Sequence, residues 1–422
     1  MYLLYTAVVS LGFVLALPLY LWKGRATGKY LATFRERLGR LPEGIASEGP
    51  SIWIHAVSVG EVLAARILVA PLKQRFPGHR VVVSTTTMTG QAVARASVRG
   101  ADGLFYAPFD WPGPVRRVLA ALKPRLLLLV ETELWPNLIH EARRRGARIA
   151  VVNGRISDRS FGRYRLARFF LRRVLSEVDL LLMQTEEYAR RVAEIGALPE
   201  RVRVVGNLKY DALEPPVVPE GLARLLCLDG RGPLWVAGST VAGEEELVLA
   251  AFRRVREAFP EARLVIAPRH PERFDEIPGR VEAAGFRCAR RTRLGEAPWR
   301  GAEVLLLDTI GELAGLYAAA TVVFVGGSLA PAGGHNVLEP AVAGKAVVVG
   351  PHMENFQEIA DRFRAEGALV QVDSEEGLAP AVLGLLADAG RRDEIGRRAR
   401  GLVERNRGAL AATLDALARL VA

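Results

Sequence analysis

A chain of 422 residues with 50% hydrophobic residues is too apolar for intrinsic disorder and too long for one hydrophobic core, so two domains are expected. Its only cysteines, Cys227 and Cys288, exclude a disulfide framework and a cysteine-rich metal site, and they fit a reducing compartment. The net charge of +11 favours an anionic partner (nucleic acid, acidic lipid or a phosphorylated substrate), although a soluble basic surface alone would also account for it.

The N-terminus narrows that choice. Met1 to Trp22 carries no charged side chain, long enough for a helix to span a bilayer, and Lys23, Arg25 and Lys29 follow at once. Positive charge on the C-terminal flank places the rest of the chain in the cytoplasm. A cleaved signal peptide would want its charges first and a small-residue cleavage site after, and neither is present. An uncleaved anchor is therefore expected, with a monotopic helix as the alternative.

Past the anchor, apolar runs alternate with helical patterns. Ser51 to Val57 reads as a buried strand, and Glu61 to Phe76 as the helix after it. Val81 to Ser84, Leu126 to Val130, Arg148 to Val152, Leu180 to Met183 and Val202 to Val205 are further strands. Proline-rich Asp211 to Glu220 then reads as a linker. Strands restart at Leu234 to Ala237, Arg263 to Ala267, Val304 to Leu307, Thr321 to Val325, Ala346 to Val349 and Leu369 to Val372, and long helices, including Arg391 to Ala422, close the chain. Such alternation predicts two doubly wound α/β domains facing a cleft, with ligands beyond the carboxyl ends of the strands.

Motifs follow those strands. In His55-Ala56-Val57-Ser58-Val59-Gly60-Glu61, Gly60 permits close approach of a ligand, and Glu61 falls in the first helical turn. A carboxylate there can take a proton from a hydroxyl nucleophile, or it can simply face the helix dipole. Glu131 and Glu133 in the ETELWPN segment could share a divalent metal only if the strand continued past them. A helix start near Trp135 argues instead that one of the two is a cap, and no metal is expected. Glu131 holding a catalytic cation in place is the other role open to it. Arg155 and Lys209 close two more strands and bring cations suited to a phosphate or a carboxylate, unless a neighbouring acid neutralises them.

In the second half, Ala237-Gly238-Ser239-Thr240 precedes the acidic run Glu244 to Glu246; Pro268 and Arg269 follow one strand, and Asp308 to Leu313 another. Gly326 to Pro351 (GGSLAPAGGHNVLEPAVAGKAVVVGP) joins a strand, a glycine-rich loop and a helix start. Unpaired N–H groups at such a junction suit an anion. Asn336 has the character of an N-cap, and Glu339 has capping-box spacing from it, so Glu339 is either a cap or a contact to ribose hydroxyls. Phe161 to Val174 interleaves Arg163, Arg165, Arg168, Arg172 and Arg173 with Tyr164, Leu166, Phe169, Phe170 and Leu171. This basic amphipathic helix reads as a membrane-surface element, with a nucleic-acid contact and a merely solvated face as the competing readings.

HAVSVGE, VETELWPN, VNGRIS, GNLKYD, APRHPERF, DTIGEL and GGHNVLEP, in this order, resemble the 3-deoxy-D-manno-octulosonic acid (Kdo) transferases over essentially the whole chain. The resemblance implies an α/β GT-B glycosyltransferase with two Rossmann-like domains and an N-terminal membrane helix. Its expected parts are an anchor at 1–22, an acceptor-binding domain at 23–210, a linker at 211–220 and a CMP-sugar-binding domain at 221–422 whose last helix can cross back. It implies inverting transfer of Kdo from CMP-Kdo to a lipid A precursor, with no cofactor and no metal, at the cytoplasmic face of the bacterial inner membrane. Glu61 is implied as the base and Glu131 and Lys209 as transition-state stabilisers. Pro268, Arg269, Thr309, Ile310, Gly311, Asn336, Val337, Leu338 and Glu339 are implied as CMP contacts. An anionic membrane surface is the expected partner and nucleic acid is not. A GT-B transferase using a UDP-sugar and a membrane-tethered nucleic-acid-binding protein are the alternatives.

Overall fold

Short β-branched and leucine-rich runs, bounded by turns, give two all-parallel sheets of seven strands each in the computed structural model. Residues 1–27, 29–46, 49–226, 232–295 and 297–421 are described, the side chains of 17–32 and 159 excepted. The first sheet holds β1 (Ser51–His55), β2 (Arg80–Thr85), β3 (Gly103–Tyr106), β4 (Pro124–Val130), β5 (Arg148–Gly154), β6 (Leu180–Met183) and β7 (Val202–Val204), in the order β3-β2-β1-β4-β5-β6-β7. The second holds β8 (Leu234–Thr240), β9 (Arg263–Pro268), β10 (Cys288–Arg290), β11 (Val304–Leu306), β12 (Val322–Val325), β13 (Ala346–Val349) and β14 (Val370–Gln371), in the order β10-β11-β9-β8-β12-β13-β14. Strand order reverses between β1 and β4 in one sheet and between β8 and β12 in the other, and in open α/β sheets these are the points where ligands bind. β3 and β10 were not expected from the sequence. Both are short; Gly103 and Leu104 are only half-buried in β3, and β10 is a half-buried edge strand that includes Arg290.

The chain divides into two units, Met1–Ala212 with Asn406–Ala422, and Leu213–Arg405. Side chains alternate across the first sheet with the period of two that a strand imposes. Ile52 and Ile54 face a core with Val62, Leu68 and Val83, whereas Trp53 faces a second core with Phe105, Leu127 and Leu129. In the second unit Trp235, Leu264, Ile266, Phe324 and Val348 make the corresponding layer.

Tyr2–Thr27 is helical where an anchor is expected at Met1 to Trp22. Among the described residues no helix is long and apolar enough to cross a membrane, and the side chains of 17–22 lie outside the described residues. One face of this helix makes specific contacts. Tyr5 donates to Asp110 Oδ2 (2.9 Å), Asn137 Nδ2 donates to Thr6 Oγ1 (3.0 Å), Tyr2 stacks on His140, and Phe13 meets Phe109 and Trp111 edge-on. That face is docked on the folded unit, while Leu3 (85% exposed), Leu4, Val8, Leu11, Val14 and Leu15 remain uncovered. The basic stretch Phe161 to Val174 is not one helix; it breaks at Ala167 into Asp158–Leu166 and Arg168–Leu175. The closing stretch from Arg391 is likewise two helices, Ala389–Arg405 and Ala409–Val421, separated at Gly408, whose φ of +106° suits only glycine.

The last of these helices packs Ala409, Ala416 and Leu417 into the first unit's core beside Ile52 and Ile54. Its start is capped from afar: Asp211 Oδ1 accepts from Gly408 N (2.7 Å) and Oδ2 from Leu410 N (3.0 Å). Asp211→Ala removes both bonds, and by the cost of a lost cap it should destabilise the first unit by about 1 kcal/mol. A urea midpoint unchanged from the parent would show that this helix is held by its apolar face alone.

Candidate functional site

β1 ends at His55, and the Val59–Arg75 helix begins four residues later. This tight connection puts Glu61 in the first helical turn at the C-terminal edge of the sheet. Its side chain is buried, and Oε2 accepts from Val57 N (2.7 Å) while Oε1 accepts from Ser58 Oγ (2.7 Å). Burial pushes the Glu61 carboxyl up to about 8, and the charges of Glu133 and Glu131 push the same way against those two hydrogen bonds. Beside it, a Cβ added at Gly60 would have no neighbour within 4 Å, so a ligand has room to approach the backbone there. His55 is fully buried, burial pushes it down to about 3, its Nδ1 meets Ser84 Oγ (2.9 Å), and its ring lies edge-on to Trp135.

Glu131 leaves the end of β4 in a turn with φ of +63°, and Thr132 follows at +103°. Left-handed backbone at two consecutive non-glycine residues is strained and persists only where surrounding contacts impose it. Here the contacts are Glu131 N to Val152 O (3.0 Å), Arg155 N to Glu131 O (3.2 Å) and Arg155 N to Thr132 Oγ1 (3.0 Å). The turn aims the Glu131 carboxylate at Lys209 Nζ (3.2 Å), with Arg155 further off at 3.7 Å. Lys209 is itself placed by polar scaffolding. Asn207 Oδ1 accepts from Lys209 N (2.9 Å), Asn207 Nδ2 donates to Gln184 Oε1 (3.0 Å), and buried Asn153 accepts from Leu208 N (2.9 Å). The structure thus joins Glu131 and Lys209, in the arrangement where the acid holds a cation.

Neither carboxylate of the Glu131–Glu133 pair caps the Pro136–Arg144 helix, contrary to expectation, because the left-handed turn redirects the chain and Trp135 takes the N-cap position. Glu133 instead accepts from Trp135 Nε1 (3.1 Å), and burial followed by the Glu131 charge raises its carboxyl above the usual range. Among the described residues no three His, Cys, Asp or Glu side chains converge to hold a metal ion.

In the second unit the expected nucleotide segments leave the C-terminal ends of neighbouring strands. Pro268 closes β9 in register with Thr240, and Arg269 N donates to Thr240 O (2.8 Å), leaving the guanidinium exposed. Thr309 hydrogen-bonds to Glu312, Ile310 stands 85% exposed, and Gly311 takes a φ of +98°. Asn336 is not the N-cap: the helix after it is only Leu338–Val342, and Val337 precedes it. Asn336 Oδ1 accepts from Leu338 N (3.1 Å), and its amide donates to Glu339 Oε1 (3.0 Å). Val337 and Leu338 are buried and can offer a ligand only backbone. Burial, then Arg269 and His270, push His335 down to about 4, which places the segment before Asn336 beside the Arg269 loop.

The glycine-rich loop departs most from expectation. Its amides do not await a phosphate; Gly327, Ser328, Leu329 and Ala330 all donate to the fully buried carboxylate of Glu244. That carboxylate lies in the acidic run noted in the sequence, where position in the first turn of a helix gave it no visible partner.

The family model described as 3-Deoxy-D-manno-octulosonic-acid transferase (kdotransferase) matches residues 32–212. The 3-deoxy-D-manno-octulosonic acid transferase of Bordetella pertussis is 37% identical, with 94% of this chain and 95% of that protein aligned. The one of Haemophilus influenzae is 34% identical over 92% of this chain and 91% of its own. Among solved structures, a glycosyltransferase from Rickettsia africae superposes with a TM-score of 0.58 at 13% identity, covering 89% of this chain and 99% of that one, which shows a shared fold. Identity at this level over nearly the full length shows the family: the chain belongs to the 3-deoxy-D-manno-octulosonic acid transferases, glycosyltransferases that transfer Kdo.

Proposed function

We propose that this transferase moves Kdo from CMP-Kdo to a lipid A precursor in lipopolysaccharide synthesis, with inversion, without a metal, at the cytoplasmic face of the bacterial inner membrane. The observation that carries the chemistry is the Glu61 carboxyl, raised to about 8 and set at the β1/β4 reversal beside the Glu131–Lys209 pair. Glu61 as carboxylate removes the proton of an acceptor hydroxyl while that oxygen bonds to the anomeric carbon of Kdo. The bond from that carbon to the CMP phosphate oxygen breaks on the opposite face, and CMP departs with the electron pair. Kdo carries a carboxylate, and Lys209, held by Glu131, is the point charge to meet it. A CMP leaving group is stabilised by cations and oriented N–H groups, for which Arg269 and the Asn336–Glu339 segment are the candidates.

A lipid acceptor calls for a surface that meets a membrane, and exposed apolar side chains beside arginines in the first unit support that reading. Tyr5 stacks on Phe170 and Tyr2 meets it edge-on, and next to it Leu166 (90% exposed) and Phe169 (91%) stand among exposed Arg163, Arg165, Arg168, Arg172 and Arg173. Leu3, Leu4, Val8, Leu11 and Leu15 are also uncovered on the helix that carries Tyr2 and Tyr5. Large uncovered apolar surface beside clustered arginine fits an anionic membrane surface, with the helix lying on it.

Glu61→Gln should lower transfer by roughly 10²–10⁴-fold while CMP affinity stays within error. In the parent, kcat/KM for the acceptor should rise about tenfold per pH unit up to about 8 and then level, since only the carboxylate takes the proton. A flat profile from pH 6 to 9, or a Glu61→Gln enzyme at near-parental rate, would remove Glu61 as base. For the membrane surface, Leu166→Ser with Phe169→Ser should reduce co-sedimentation with phosphatidylglycerol-containing vesicles at any salt. Arg168→Ser, Arg172→Ser and Arg173→Ser together should weaken it by about 100-fold at low ionic strength only, at about 1 kcal/mol per lost charge. Binding unaltered in both sets would refute the lipid contact.

A further inference from the structure

A carboxylate withdrawn from water must recover its lost hydrogen bonds from the protein. Glu244 recovers five, all from backbone: Oε2 accepts from Val241 N (3.0 Å) and Gly327 N (2.7 Å), and Oε1 from Ser328 N (3.0 Å), Leu329 N (2.9 Å) and Ala330 N (3.2 Å). The loop is built around this group. A Cβ at Gly326 would come 2.7 Å from Glu244 Oε2, and Gly327 takes a φ of +68°. The constraint then runs onward: Gly334 N donates to Gly327 O (2.7 Å), Asn355 N to Gly333 O (2.8 Å), and Gly350 N to Ser328 Oγ (2.9 Å). The Asn336–Glu339 segment therefore begins two residues beyond a point tied to the carboxylate's own loop.

Glu245, equally buried, does the same for the other segment. Its Oε1 accepts from Thr240 Oγ1 (2.7 Å), and Arg273 grips both oxygens, Nη1 to Oε1 at 2.8 Å and Nη2 to Oε2 at 2.9 Å. Thr240 O in turn accepts from Arg269 N (2.8 Å). Pro268 and Arg269 thus sit on a strand end fixed on one side by Thr240 and on the other by Arg273, with Glu245 joining the two.

We propose that Glu244 and Glu245, adjacent in the first turn of the Glu244–Ala258 helix, are positioning residues that set Asn336–Glu339 and Pro268–Arg269 for the donor nucleotide without touching it. A consequence is that the amides of 327–330 are already used, so the donor phosphate is held by Arg269 and the chain beyond Gly334. This rests on the donor reading above.

Calorimetry with CMP on the full chain separates the two. The parent should bind CMP; no binding would overturn the donor reading itself. Glu244→Gln offers one acceptor oxygen and one N–H₂ where five donors converge, and should weaken CMP about tenfold or more. Glu245→Gln should weaken it comparably, and Thr240→Val, which removes one hydroxyl and leaves the Arg273 pair, severalfold. In each, the acceptor KM and the pH midpoint of transfer should stay at parental values, which a general loss of structure would not allow. Folded Glu244→Gln and Glu245→Gln that bind CMP like the parent would overturn the positioning role. Should neither glutamine variant fold, Thr240→Val decides it, and an unchanged CMP dissociation constant there counts against the proposal.

Discussion

A carboxylate removed from water has to be satisfied by protein groups, and in this chain the kind of group that satisfies it separates structure from chemistry. Glu244 takes five backbone N–H groups, Glu245 takes a guanidinium fork and a hydroxyl, and Glu131 takes Lys209. Each is held by donors fixed in the fold, and each fixes something in return: a loop, a strand end, a cation. Glu61 is held differently. It has two donors, both from its own turn, and among the described residues no cation pairs with it. With Glu133 and Glu131 as neighbours, a buried group so placed holds its proton up to about pH 8, which is what a base for a sugar hydroxyl requires.

Parallel topology explains why these carboxylates gather at one edge of each sheet. Every strand runs the same way, so every strand-to-helix connection emerges at the carboxyl end. At the order reversals two such connections diverge and leave open backbone between them. Glu61 follows β1 and Glu131 follows β4, the pair flanking the first reversal; Thr240 closes β8 and the Glu244-bound loop follows β12, flanking the second. Backbone strain marks the same edge. Of the five described non-glycine residues with left-handed φ, Glu131, Thr132, Asn153 and Ser239 lie at or just past the ends of β4, β5 and β8, while Lys123 only ends a helix. Strain concentrated there fits a backbone shaped for ligands rather than for regular pairing.

The strands were legible because buried parallel strands are continuous apolar runs: Leu180–Met183 and Ala346–Val349 fall where their composition put them. β3 and β10 were not, because one is half-exposed and the other lies at an edge with Arg290 in it. At the site, the positions of Glu61, Glu131 and Lys209 followed from motifs at strand ends. What could not be read was partnership at long range. Glu244 lies more than 80 residues from the loop it fills, and no local spacing links them. Nor could an uncharged stretch at Met1 to Trp22 reveal that Tyr5 and Thr6 are committed to Asp110 and Asn137, more than 100 residues on. Asn336 misled for the opposite reason: its local pattern was that of a cap, but five residues of helix leave little to cap.

The raised carboxyl also sets a cost elsewhere. Glu61 in the folded chain holds its proton to about pH 8, whereas an exposed glutamate in the unfolded chain releases it near pH 4.5. Between those values the folded state binds more protons than the unfolded, so the slope of stability with pH from this group is negative. Its contribution is fully present below about pH 4.5 and declines as pH rises through 8. Base strength and stability are therefore opposed within one window: conditions that ionise Glu61 for proton abstraction are those in which its burial costs the fold most. The two hydrogen bonds from Val57 N and Ser58 Oγ lessen that cost by stabilising the carboxylate, and they do so at the expense of its basicity. Ser58 and Val57 belong to the same short β1-to-helix connection as Glu61, so a single turn of chain tunes both quantities at once.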